Sequence, residues 1–98
     1  MNMPGFTKLQ IYSVEEDLPD GGVCIVRCIE GVASIGQSFT LERESAEKGA
    51  PDTLTLKKIN RYGQFVESLP LAHSAKIHLS GGPLSGLRYG DILLCRCD

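Results

Sequence analysis

The residues of this 98-residue chain that could carry chemistry are four cysteines, two histidines and a few charged clusters. Cys24 and Cys28 form a C-x3-C pair, and Cys95 and Cys97 a C-x-C pair. On extended strands both members of each pair point to the same face, so four thiols would converge if the two strands were neighbours. A tetrahedral zinc site needs that convergence. Zinc knuckles, however, come from tight C-x2-C turns, whereas Cys24 and Cys28 on a strand stand about 13 Å apart. The expectation is therefore free thiols, with no metal and no cofactor. A cysteine nucleophile beside His73 or His78 would need that base to form its thiolate. No nucleophile motif surrounds any of the four, so no catalytic residue is assigned and no enzyme activity is expected. Glu15, Glu16, Asp17 and Asp20 lack the spacing of a calcium loop and read as a solvated acidic loop. Lys57, Lys58 and Arg61 are the one basic cluster, and they read as a solvated strand face.

The elements that must position these residues are short and β-like. Phe6 to Val14 roughly alternates polar and apolar residues and predicts a first strand. The acidic, Pro- and Gly-containing run Glu15 to Gly22 predicts a loop that ends it. Gly22 to Leu41, GVCIVRCIEGVASIGQSFTL, organises the rest. It reads as a strand over Val23 to Glu30, a turn at Gly31, a bend ending at Gly36 and a strand over Ser38 to Leu41. In its first strand Val23, Ile25, Arg27 and Ile29 share one face, and Cys24, Val26 and Cys28 share the other. Both faces are largely apolar, so one of them is either covered or waiting for a partner.

Residues 45–52 are small, charged and Pro-containing, which predicts an exposed loop; a helical turn over 44–48 would be too short to stand alone. Thr53 to Arg61 resumes alternation with Leu54, Leu56 and, after a slip, Ile59 inward. Tyr62 to Glu67 predicts a tight reversal. Ser74 to Ser80 places Ala75, Ile77 and Leu79 on one face. Gly81-Gly82-Pro83 is a turn, Leu84 to Asp91 a connector, and Ile92 to Cys97 the last strand. About six short strands with regular turn signals and no helical period predict an all-β barrel, closed so that no edge strand is left unpaired.

Length sets one domain over residues 1–98, with the barrel core at about 6–97. The formal net charge of −2 gives no overall drive toward phosphate backbones. No basic start followed by an apolar run precedes the first strand, and no stretch is long and apolar enough for a bilayer. Cytoplasmic residence with reduced thiols is the expectation.

Four segments in register resemble the second domain of elongation factor Tu and related translational GTPases. Ile29-Glu30-Gly31-Val32-Ala33-Ser34-Ile35-Gly36-Gln37-Ser38-Phe39 resembles that family's R-I-E-x-G-x-I-x-x-G-D-x-V. Leu56 to Tyr62 sits where the family has a strand ending x-I-x-x-F. Ile77-His78-Leu79-Ser80-Gly81 is similar to V-x-L-L-R-G, and Leu87 to Leu93 to I-x-R-G-D-V-L. The resemblance spans Phe6 to Cys95 and implies a closed six-stranded Greek-key barrel of the translation-protein type. In elongation factor Tu this barrel helps hold the aminoacylated 3′ end of tRNA. By register, Cys24 and Val26 would be outward-facing beside that pocket, His78 would fall near an apolar wall position, and Ser68 near an acidic one with Glu67 adjacent. The chain departs from the family at Val26-Arg27-Cys28, where Thr-Gly-Arg is usual, and at Leu71-Ala72-His73, where the family has an A-G-D/E turn. It has no G-x-x-x-x-G-K-[ST] loop, so no GTP binding is expected of it.

The function these residues imply is a non-enzymatic interaction module with an elongation-factor-type barrel, binding a protein or RNA partner and linked to translation. Its candidate surface is Cys24, Val26, Cys28, Glu67, Ser68 and His78. A protein docked on the apolar strand is the first partner expected. The tRNA acceptor end and a second copy of the chain are the others, and no membrane is expected. An alternative of another class is a small inhibitor or immunity-type protein that neutralises a toxin or regulator, its acidic loops suiting a basic partner.

Overall fold

A computed structural model describes residues 5–42 and 53–97. Among the described residues nine strands follow one another: β1 (Gly5–Leu18), β2 (Gly21–Glu30), β3 (Ala33–Ser34), β4 (Ser38–Glu42), β5 (Leu54–Arg61), β6 (Gln64–Val66), β7 (Ser68–Leu69), β8 (Ser74–Ser80) and β9 (Ile92–Cys97). The long strands are those whose sequences alternate. Their apolar half is buried: Leu9 and Ile11 of β1, Phe39 of β4, Leu54, Leu56 and Ile59 of β5, Ala75, Ile77 and Leu79 of β8, Leu93 and Cys95 of β9. Burying these side chains on one face of each strand is what drives the sheet to curl on itself.

Six strands close the barrel. The order is β4-β9-β1-β2-β8-β5, and β4 pairs again with β5 through Ser38↔Thr55 and Phe39↔Leu54. All pairings are antiparallel. β4, β5 and β8 run as consecutive neighbours, and β9 returns across the barrel to lie beside β4, which is the Greek-key connection. β6 extends β5 as a hairpin, and β3 with β7 forms a separate two-stranded ribbon. The connector after β8 caps the core with Leu84 and Leu87. No helix among the described residues is long and apolar enough to cross a membrane.

Two sequence expectations are corrected. The acidic run 15–22 is not a loop that ends β1. The strand continues to Leu18, with Glu16 opposite Val23, Asp17 opposite Gly22 and Leu18 opposite Gly21. This part of the hairpin is exposed on its β1 side, so the acids stay in water while the backbone still pairs, and Pro19 is left to the turn. Gly22 fits because the strands nearly touch there: a Cβ would lie 2.0 Å from the Glu16 carbonyl oxygen. Asp17 also has a use, its Oδ1 accepting the Leu84 N–H at 2.8 Å and tying the connector to the hairpin.

The second correction concerns the strand on which the candidate surface rested. Cys24, Val26 and Cys28 point into the barrel and are 0% exposed. Their partners across the ladders are themselves core residues: Leu9 opposite Cys28, Ile11 and Ala75 opposite Val26, Ile77 opposite Cys24. The opposite choice would have buried the Arg27 guanidinium. The outer face of β2 is thus Val23 and Ile25, half-buried, with Arg27 and Ile29 exposed. The expected exposed loop at 45–52 and the helical turn at 44–48 lie outside the described residues.

Candidate RNA-binding face

Cys24, Cys28 and Cys95 are free and buried; Cys97 lies outside the side chains described. Burial pushes the Cys24 thiol from 9.0 up to about 12. Burial also raises Cys28, opposed by backbone hydrogen bonds at Glu30 and Ala33. A buried thiol held protonated is a poor nucleophile and a poor ligand. Among the described residues no group of three or more His, Cys, Asp or Glu is arranged to hold a metal ion.

What the barrel does present is an outward face built across β2, β8, β5 and β6. Antiparallel register lines its side chains in transverse rows. Val23, His78 and Lys58 stand opposite one another; Ile25, Lys76, Asn60 and Phe65 form the next row; Arg27 and Ser74 follow. The intervening rows, such as Cys24, Ile77 and Ile59, are core. Closure of the barrel therefore gathers Arg27, Lys57, Lys58, Arg61 and Lys76 from three strands, half of the ten Lys and Arg in the chain. No acid lies on β5, β6 or β8. From residue 53 to residue 90 the chain carries five Lys or Arg against one acid, Glu67. The net charge of −2 thus conceals a strong segregation of sign.

Aromatic rings stand among these cations. Tyr62, at the β5–β6 turn, is 94% exposed and Phe65 63%. The Lys58 ammonium lies 5.4 Å from the Phe65 ring centroid and the Arg61 guanidinium 5.7 Å from that of Tyr62. Phe65 meets His78 edge-on at 6.2 Å. The turn itself follows from local chemistry. Arg61 pairs with Gln64 across it, and Tyr62 and Gly63 have φ of 54° and 80°, the pattern of a type I′ hairpin turn. The Asn60 side-chain oxygen accepts the Gly63 N–H at 3.1 Å and braces it.

Two grooves lie along this face. One, about 480 Å³, is lined by Ile25, Asn60, Arg61, Tyr62, Ser74 and Lys76 among others. The other, about 510 Å³, lies toward the far end of β8, where Glu16, Leu18 and Asp20 of the hairpin meet Lys57 and His78. Its mixed charge marks where the basic surface stops.

Of the sequence-derived candidates, His78 is half-buried within the face, while Glu67 and Ser68 are exposed beside it. Ser68 pairs with Ser34 in the small ribbon, and the Glu67 carbonyl accepts the Ile35 N–H at 3.1 Å. Cys24, Val26 and Cys28 belong to the core. Sequence reasoning noted Lys57, Lys58 and Arg61 but missed Arg27, Lys76, Tyr62 and Phe65. The readable signal was the near absence of acids from 53 to 90, a regional charge bias and not a local run.

No family model matches the chain, and no curated protein matches it. Among solved structures it is similar to translation elongation factor SelB from Methanococcus maripaludis in its apo form, with a TM-score of 0.70 and 13% sequence identity. The match covers 91% of this chain and 18% of SelB, so the chain spans less than a fifth of that protein's length. At that identity the likeness is one of fold. The chain folds as a β-barrel of the elongation-factor type, the architecture its four sequence segments resemble.

Proposed function

We propose that this chain is a non-enzymatic, translation-related binding module that takes a single strand of RNA on the outer face of β2, β8, β5 and β6. The observation that supports it is the segregation of five cations, interleaved with exposed aromatic rings, onto one barrel wall whose β5, β6 and β8 strands carry no acid. Cations neutralise phosphates and release counterions, while aromatic faces stack on unpaired bases. The protein-docking reading drew on an apolar strand face that is in fact interior, so its warrant has moved to this basic wall. The likeness in fold to a translation factor supports the translation-related part of this reading. His78 is proposed as a contact within the face, and Glu67 and Ser68 as its rim.

The test is fluorescence anisotropy with a single-stranded RNA of about ten nucleotides. If Lys57, Lys58, Arg61 and Lys76 each meet a phosphate, log affinity should fall with log salt at a slope of about −3. Affinity should then drop about 50-fold between 50 and 200 mM salt. Binding that is absent, or insensitive to salt, overturns the proposal.

A further inference from the structure

We propose that the groove beside the β5–β6 turn is a nucleotide subsite, in which Arg61 and Lys76 hold one phosphate and Tyr62 stacks on the attached base. It rests on the RNA reading of the face and assigns one nucleotide of the strand to named residues. Three observations converge there.

The first is the groove itself. Its volume of about 480 Å³ falls within the range of roughly 300–1,000 Å³ usual for small-molecule sites. Its centre is set by the row Ile25, Lys76, Asn60, with Ile25 half-buried as an apolar floor. Ser74 and Asn60 supply neutral polar groups beside the two cations.

The second is the state of Arg61. Its Nη2 donates to His73 Nδ1 at 2.6 Å, since a guanidinium only donates and Nδ1 is the acceptor. On the same edge, Arg61 Nε is buried and has no hydrogen-bond partner among the described residues. Nε and Nη2 together make the side-on fork that grips two oxygens of a phosphate. His73 thus occupies half of an edge suited to a bidentate anion, and a small reorientation of Arg61 toward the groove would satisfy both nitrogens at once.

The third is backbone conformation. Among the described residues, two non-glycine residues have positive φ, Tyr62 at 54° and Ala72 at 72°. They are the immediate neighbours of Arg61 and His73. A type I′ turn favours Asn-Gly, and a bulky ring at its first central position is strained. Tyr62 is 94% exposed, so its ring returns almost nothing in core packing. Stability alone does not account for a tyrosine there; an aromatic platform next to a guanidinium does.

The test is a two-dimensional amide NMR titration of the full chain with adenosine 5′-monophosphate, inorganic phosphate and single-stranded RNA in parallel. The first two probe a free nucleotide or phosphate as the source, the third a phosphate within a chain. Saturable shifts centred on residues 60–63 and 74–76 with the mononucleotide and with RNA are expected. Arg61→Gln should weaken both by tenfold or more. Tyr62→Asn, which suits the turn and keeps the fold, should weaken the mononucleotide by about tenfold while leaving inorganic phosphate unchanged. RNA that still binds with salt dependence while these amides stay silent, or while both variants bind it normally, would overturn the subsite and leave the RNA-binding face standing. Failure of RNA to bind at all would overturn both.

Discussion

Adjacent residues of β2 offer a sharp check on the barrel's inside and outside. Val26 is fully buried between Ile11 and Ala75, whereas Ile25 is half-buried on the outer wall opposite Lys76. Val26→Ala removes two buried carbons, worth about 0.8 kcal/mol each, and leaves a cavity, for a total of about 2–3 kcal/mol. At about 4–8 °C per kcal/mol for a domain of this size, the midpoint should fall by roughly 10–20 °C. Ile25→Ala removes more atoms, but they are only half out of water and leave no cavity, so the cost should be about 1 kcal/mol. Urea denaturation followed by circular dichroism reads both, with the midpoint moving and the slope unchanged. Ile25→Ala should in turn weaken RNA binding, because it strips the floor of the groove. If Ile25→Ala costs more stability than Val26→Ala, the assignment of inner and outer faces on β2 is wrong.

Other outcomes follow from the same geometry. Gly22→Ala should destabilise by about 3 kcal/mol, since the new Cβ would collide with the Glu16 carbonyl; an unchanged melting temperature would refute the close approach. Ala72→Gly, at φ 72°, should stabilise by roughly 0.5–1 kcal/mol by relieving left-handed strain, and a loss of stability in urea would contradict this. The Cys24 thiol titrates at about 12 in the fold but near its ordinary value in the unfolded chain. Stability that is intact below pH 9 should therefore be lost as pH rises toward 12, by about 1.4 kcal/mol per pH unit. Cys24→Ala should show a shallower alkaline fall in urea midpoint than the natural chain, and identical profiles would count against the burial of this thiol.

Much of the barrel is written in local pattern. Leu54, Leu56 and Ile59 share the interior only if the alternation slips once, and the structure places that slip as a register shift between Leu56 and Lys58. Ala75, Ile77 and Leu79 are inward as their spacing predicts. The face of β2 was not legible, because Val23, Ile25 and Ile29 are as apolar as Cys24, Val26 and Cys28; only closure against β1 and β8 breaks the tie. Nor does composition foretell that an acidic, proline-bearing segment can pair as a projecting hairpin with its side chains in water. The candidate face was the least legible part. Arg27, Arg61 and Lys76 are far apart in the chain and become neighbours only because β8 inserts between β2 and β5.

On the proposed reading, RNA is held by this wall and not by the chain's charge as a whole. The most direct measurement compares two double variants that change net charge equally. Lys58→Gln with Lys76→Gln removes two of the five cations of the proposed face, while Lys8→Gln with Arg88→Gln removes cations from β1 and from the connector after β8. RNA affinity is measured for each across 50 to 200 mM salt. The first pair should flatten the log–log salt slope by about 1.4, and the second should leave it unchanged. Equal loss in both, or a larger loss in the second, would contradict the claim.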